Sequence, residues 1–165
     1  MGKTTQHLKD AFAGESQANR KYLAYAKQAD KEGFAAAAKL FRAAAAAETV
    51  HAHTHLRAMG GIGSTAENLK DAVAGETHEF RSMYPEMIED ARKEGEEKAE
   101  HGFIYANEVE KVHADLYQKV LDALDNPEAV DCYYVCSVCG YTVADHVPET
   151  CPVCGSKAKA FERVD

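Results

Sequence analysis

Leu8-Lys9-Asp10-Ala11-Phe12-Ala13-Gly14-Glu15-Ser16 and Leu69-Lys70-Asp71-Ala72-Val73-Ala74-Gly75-Glu76-Thr77 are one stretch written twice. Seven of nine positions are identical at an offset of 61, which chance does not give. Farther on the offset becomes 62. It pairs Tyr22 with Tyr84, Lys31-Glu32-Gly33 with Lys93-Glu94-Gly95, Phe41 with Phe103, Glu48 with Glu110, and His51 with His113. The N-terminal three quarters of the chain are therefore an internal duplication, two homologous units making one bundle. The change of offset leaves one extra residue to absorb, and a π-bulge between Thr77 and Tyr84 would do so.

Each unit reads as a helical hairpin. From Lys3 to Leu124 the chain is rich in Ala, Leu, Glu, Lys and Gln, with apolar residues at steps of three and four. The first helix is expected over about Thr5–Lys31, with Leu8, Phe12, Glu15, Tyr22, Ala26 and Ala29 on its inner stripe. The second, about Phe34–Met59, carries Phe34, Ala37, Phe41, Ala44, Glu48, His51, His55 and Met59 on its inner stripe. The third follows the breaker Gly60-Gly61-Ile62-Gly63, starts near a Ser64 or Thr65 cap, and should kink at Pro85. The fourth, about Glu96–Leu124, aligns Phe103, Glu110, His113 and Tyr117. At Asn126-Pro127 the character changes, and all five Cys follow. The boundaries this implies are 1–126 for an all-α part and 131–165 for a small appended module.

Composition narrows the function. No stretch approaches the roughly 18 apolar residues of a membrane span, and the first residues contain no apolar signal core. A soluble cytoplasmic protein is expected. The net charge of −8 repels nucleic acid and anionic lipid. Five Cys between Cys132 and Cys154 point to a metal rather than to a disulfide framework.

Placing Glu15, Glu48, Glu76 and Glu110 on the apolar stripes buries four carboxylates together, at several kcal/mol per charge unless they are neutralised. Lys and Arg are absent from those stripes. Glu48-x-x-His51 and Glu110-x-x-His113 each set an oxygen and a nitrogen donor on one helical face. Two divalent metals fit, in the known pattern of carboxylate-bridged di-iron and di-manganese bundles. A single helical Glu is an ordinary solvated acid; six donors in register across a duplication are not. Glu79, whose repeat partner is Ala18, lies one turn from Glu76. It is either a fifth carboxylate at the metals, which we expect, or an exposed acid. Tyr22 and Tyr84 either aim their hydroxyls at the carboxylates or are ordinary core residues. His53 should face solvent, and His55 should be a core or supporting group.

Cys136-Ser137-Val138-Cys139-Gly140 and Cys151-Pro152-Val153-Cys154-Gly155 are two Cys-x-x-Cys-Gly knuckles. Each presents two thiolates, and together they form a tetrahedral site suited to Zn or to one Fe. About 35 residues cannot bury enough surface to fold alone, so the metal must supply much of the stability. Spacing alone favours a zinc ribbon; a neighbouring redox-capable dimetal site favours an iron electron carrier. Cys132 lies outside the knuckles.

Taken together, Ala-Gly-Glu15-Ser-Gln, Glu48-x-x-His51, Ala-Gly-Glu76-x-x-Glu79-x-x-x-Met-Tyr84-Pro85, Glu110-x-x-His113 and the cysteine knuckles resemble the rubrerythrin family over nearly the whole chain. The resemblance implies a mainly α fold, a ferritin-like di-iron four-helix bundle over 1–126, with a rubredoxin-like domain over 131–165 whose one iron is held by Cys136, Cys139, Cys151 and Cys154. It implies a peroxidase that reduces hydrogen peroxide to water in oxidative-stress protection. Electrons would come from an NAD(P)H-linked partner reductase or a rubredoxin and pass through the four-cysteine iron. By motif, Glu48 and Glu110 bridge two irons, Glu15 and Glu76 are terminal ligands, and His113 binds the second iron. Glu79 and His51 alternate on the first, since ferric iron favours an anionic oxygen and ferrous iron accepts a neutral nitrogen. The competing reading is a ferroxidase that handles iron as ferritins do; a third is a zinc-loaded structural protein.

Chain reach adds an expectation about assembly. In the ferritin-like arrangement the second and third helices run parallel, with Glu48 and Glu76 at one height. Helix lengths then leave ends roughly 33 Å apart, whereas the six Cα steps from Met59 to Thr65 span at most about 20–22 Å. A homodimer that exchanges hairpins is expected, with Glu15, Glu48 and His51 from one subunit meeting Glu76, Glu79, Glu110 and His113 of the other. Unwinding of about two helical turns, or an up-down-up-down bundle, would also close the connection.

Overall fold

A computed structural model describes residues 2–126 and 130–165, so the expected junction at Pro127 lies outside the described residues. Helices α1 (Lys3–Glu32) and α2 (Ala35–Ala58) come first. Then α3 (Thr65–His78), a π-helical segment (Glu79–Met83) and α4 (Tyr84–Glu94) follow without a break, and α5 (Glu97–Asp122) completes the helical part. The sequence-based ends of the first, second and fourth helices agree with these within two residues. The third helix is interrupted where the extra residue was expected, by the π segment. Pro85 consequently falls in the first turn of α4, where its missing N–H costs little.

The described chain divides into two compact units, one ending at Gly63 and one beginning at Ser64. In the first unit, α1 and α2 form a hairpin. Asn19 Nδ2 donates to Ala45 O at 2.7 Å and to Thr49 Oγ1 at 2.9 Å, fixing the register between the two helices one turn from Glu15 and Glu48. The duplication is visible in the turns. Phe34 N donates to Ala29 O at 2.8 Å after Gly33, and Glu96 N donates to Ala91 O at 2.9 Å after Gly95. Ala26, Ala29, Ala38, Ala45 and Ala52 are the buried residues of the first hairpin. Small side chains let the two helices approach closely, but Leu23, Tyr25, Phe34, Leu40 and Val50 remain 37–70% exposed. This hairpin carries more large apolar surface than it can cover.

In the second unit, Ser64 starts α3 with a capping box. Glu67 N donates to Ser64 Oγ at 3.3 Å, and Ser64 N donates to Glu67 Oε2 at 2.7 Å, which satisfies free amide donors at the helix start. The same unit contains a three-stranded antiparallel sheet in the order β2-β1-β3, where β1 is Tyr133–Cys136, β2 is Thr142–Ala144 and β3 is Phe161–Val164. Val135 faces Thr142 on one side of β1 and Glu162 on the other. The sheet lies against α5: a side chain at Gly140 would meet Val109 Cγ1 at 3.7 Å. Among the described residues no helix is long and apolar enough to cross a membrane.

Candidate metal centre

The six acid and imidazole donors singled out by the duplication form two sets of matching geometry. In the first unit, Glu15 on α1 meets Glu48 and His51 on α2; in the second, Glu76 on α3 meets Glu110 and His113 on α5. Within each set one donor atom per residue lies within 4.8 Å of the others. His51 Nδ1 stands 2.9 Å from Glu48 Oε2 and 4.0 Å from Glu15 Oε1. His113 Nδ1 stands 2.7 Å from Glu110 Oε2 and 3.8 Å from Glu76 Oε1. The i, i+3 spacing puts each imidazole over its glutamate, and the first helix of each pair supplies the other acid. The sets differ in cover: the His51 side chain is 56% exposed and that of His113 26%, because the sheet covers the latter.

The second unit also shows what its acids lack. Burial, then the charge of Glu110, raises the pKa of Glu76. Burial and Glu110 likewise raise that of Glu79, at the start of the π segment. Tyr84 is raised by burial and then by Glu79, Glu110 and Glu76, so its hydroxyl feels all three carboxylates. The neighbours that oppose this crowding are the imidazoles of His113 and His78. Hard oxygen donors that repel one another, with imidazole beside them, fit divalent or trivalent iron. Tyr84 also packs at a tilt against Phe103 with ring centroids 6.2 Å apart, and in the first unit Tyr22 packs likewise against Phe41 at 6.2 Å. His53 is exposed and His55 half-buried.

Cys136, Cys139, Cys151 and Cys154 converge as the two knuckles require. Cys136 Sγ lies 3.7 Å from Cys154 Sγ, and Cys139 Sγ 3.5 Å from Cys151 Sγ. A tetrahedron with metal–sulfur bonds of about 2.3 Å has sulfur–sulfur edges of about 3.8 Å, so the thiols already have a metal's spacing. The knuckles share one backbone path. Gly140 N donates to Cys136 O at 2.8 Å and Gly155 N to Cys151 O at 3.0 Å, both glycines at positive φ, where a Cβ would be strained. Burial opposes the Cys154 thiolate, but Ser156 Oγ, 3.2 Å away, the Ser156 backbone and the neighbouring Cys139 and Cys151 together outweigh it and bring the pKa down to about 6. Burial pushes Cys139 up. Cys132 is buried outside the cluster.

Thr142 is the residue that sequence reasoning passed over. Its Oγ1 lies 2.9 Å from His113 Nε2. A threonine two residues past a knuckle glycine carries no signal of a contact 29 residues away.

Helical hairpins with paired Glu/His sets and an appended four-cysteine module define a class of non-haem iron protein. The rubrerythrin family profile matches residues 6–121, and that of the rubrerythrin rubredoxin-like domain matches residues 134–162. Rubrerythrin-2 of Clostridium acetobutylicum is 36% identical, over 96% of this chain and 95% of its own. Nigerythrin of Nitratidesulfovibrio vulgaris is 35% identical, over 93% of this chain and 83% of its own. Solved structures of nigerythrin in a mixed-valence state and in a fully reduced, all-ferrous state align with TM-scores of 0.59 and 0.60 at 34% and 33% identity. Both alignments cover 99% of this chain and 88% of nigerythrin. The chain belongs to the rubrerythrin family of iron-dependent oxidoreductases.

Proposed function

We propose that this protein is a peroxidase that reduces hydrogen peroxide to water, with electrons reaching the Glu/His site through the four-cysteine iron. The observation that carries the reading is the pairing, in one chain, of duplicated Glu/His sets with a four-thiolate cluster packed on the helix that supplies Glu110 and His113. Glu15, Glu48, His51, Glu76, Glu79, Glu110 and His113 hold two irons, and Cys136, Cys139, Cys151 and Cys154 hold one. Iron bound there supplies the electrons that peroxide reduction consumes and the Lewis acidity that polarises oxygen. The chain's own groups do the rest. Glu79 adds an anionic oxygen one turn from Glu76, where burial and neighbouring charge make a bare carboxylate costly and a cation welcome. The Tyr84 hydroxyl keeps its proton beside three carboxylates and can donate a hydrogen bond from Oη. A rubredoxin or an NAD(P)H-linked reductase supplies the electrons, in the cytoplasm.

A complete site takes both donor sets, and we propose that two chains exchange hairpins to assemble it. The connection supports this: α2 stays helical to Ala58 and α3 is helical from the capped Ser64–Thr65 start, so neither end unwinds to lengthen the link. The exposed Leu23, Tyr25, Phe34 and Val50 would gain cover from a partner.

Metal analysis with a visible spectrum tests the functional reading. Three irons per chain are expected, with thiolate-to-iron absorption that bleaches on reduction and returns on addition of peroxide. Zinc in both sites, or a reduced spectrum indifferent to peroxide, would overturn it.

A further inference from the structure

The imidazole of His113 is held from both sides. Nδ1 faces the acids, 2.7 Å from Glu110 Oε2, while Nε2 points the other way, 2.9 Å from Thr142 Oγ1. The Thr142 hydroxyl donates to the carbonyl of Gly140 at 3.0 Å. A carbonyl can only accept, so the hydroxyl's single proton is committed to Gly140 and a lone pair faces the imidazole. The partner that fits this lone pair is an Nε2–H. A neutral imidazole has one N–H, so placing it on Nε2 leaves Nδ1 as a bare lone pair toward Glu76 and Glu110, the form a metal ligand must take.

We infer that Thr142 is a positioning residue that sets the tautomer and orientation of His113, and that it does so only when the four-cysteine module is folded. The inference rests on His113 being a ligand of the proposed iron site. Thr142 opens β2 and is held in register opposite Val135. Its hydrogen-bond acceptor, Gly140, is the glycine of the first knuckle, pinned by its own N–H to Cys136 O. The hydroxyl is thus held in place by the closed Cys136–Gly140 knuckle. Partners on the distal nitrogen of a metal-bound imidazole commonly fix its tautomer and strengthen it as a donor. Here that partner comes from the neighbouring module, so the thiolate site and the carboxylate site are coupled through one hydroxyl. His51, the repeat counterpart of His113, belongs to the unit that has no such module and is mostly exposed.

The test uses the full-length protein loaded with Zn(II), which is diamagnetic, and follows the ring nitrogens of His113 by long-range 1H–15N correlation, assigned with His113→Gln. The expected result in the parent is a proton on Nε2 that exchanges slowly with water. In Thr142→Val, which keeps the β-branched shape without the hydroxyl, exchange should quicken by about tenfold or more, and Zn(II) affinity at the Glu/His site should fall about 10–100-fold. Thr142→Ser should restore both. A proton on Nδ1 in the parent, or a Thr142→Val protein with parental exchange and affinity and an otherwise unchanged amide spectrum, would overturn the inference. Peroxide is not used, so a parent inert to peroxide counts against the peroxidase reading alone.

Discussion

The backbone N–H of Tyr84 donates to the carbonyl of Glu79, five residues earlier, instead of to Phe80. That one bond absorbs the residue by which the second hairpin exceeds the first. It keeps Glu76 in register with Glu15 and Tyr84 in register with Tyr22 while placing Glu79, which the first hairpin lacks, beside Glu110 and Tyr84. The extra turn of π-helix and the extra acid therefore belong together.

Replacing Glu79 with Ala leaves six of the seven proposed ligands in place. Metal content should remain near the parental level, while peroxide turnover falls about 10–100-fold. Metal analysis beside steady-state peroxide reduction measures both. Loss of metal with parental turnover per remaining site would show Glu79 to be structural.

Glu76 and Glu79 also set a pH dependence. Their pKa values are raised in the metal-free fold. As pH falls through these raised values, the folded state takes up protons before the unfolded state does, so stability increases down to the ordinary carboxyl value of about 4.3. Above the raised values the penalty is present in full. The chelated protein should gain Tm on mild acidification, and Glu76→Gln should flatten that gain. The iron-loaded protein should do the opposite, because protons compete with metal for the same oxygens. Thermal melts with and without chelator check both signs.

Removing one thiolate by Cys139→Ser should cost the module its metal and its sheet, since the strands are short and the largest fully buried side chains of the described residues are Cys136 and Cys151. Amide signals of β1–β3 should collapse toward unfolded positions while those of α1 and α2 stay put.

Hairpin exchange predicts complementation. A chain carrying Glu15→Ala and His51→Ala, co-expressed with one carrying Glu76→Ala and His113→Ala, should give a heterodimer with one wild-type site and about half the parental activity. An unswapped heterodimer has no intact site, and negligible activity in a well-folded sample would exclude exchange.

Much of this was legible in residue spacing. Duplicated Leu8–Ser16 and Leu69–Thr77 located the hairpins, the shift from Arg20/Arg81 to Tyr22/Tyr84 located the π segment, and Glu-x-x-His with Cys-x-x-Cys-Gly named the donors, because all of these are local periodicities. Contacts between elements were not legible. Nothing in the sequence states that Thr142 meets His113, since that contact depends on how a sheet held together by a metal docks on α5. The first stripe did place Ala26 and Ala29 inward, where they are buried, but the stripes did not reveal that Ala38, Ala45 and Ala52 would be the buried residues of α2, and the second put Phe34 inward although it is exposed: periodicity gives a face, and the residue at the closest helix approach is decided by side-chain volume.

The central claim is that the Glu/His site serves peroxide. Stopped-flow mixing of the fully reduced protein with peroxide and, separately, with dioxygen tests it most directly, following return of the thiolate–iron absorption. Peroxide should reoxidise the protein much faster than dioxygen, with two electrons consumed per peroxide and no mineral formed. Dioxygen reacting as fast as peroxide, with growth of an iron mineral core, would contradict it and mark the protein as a ferroxidase.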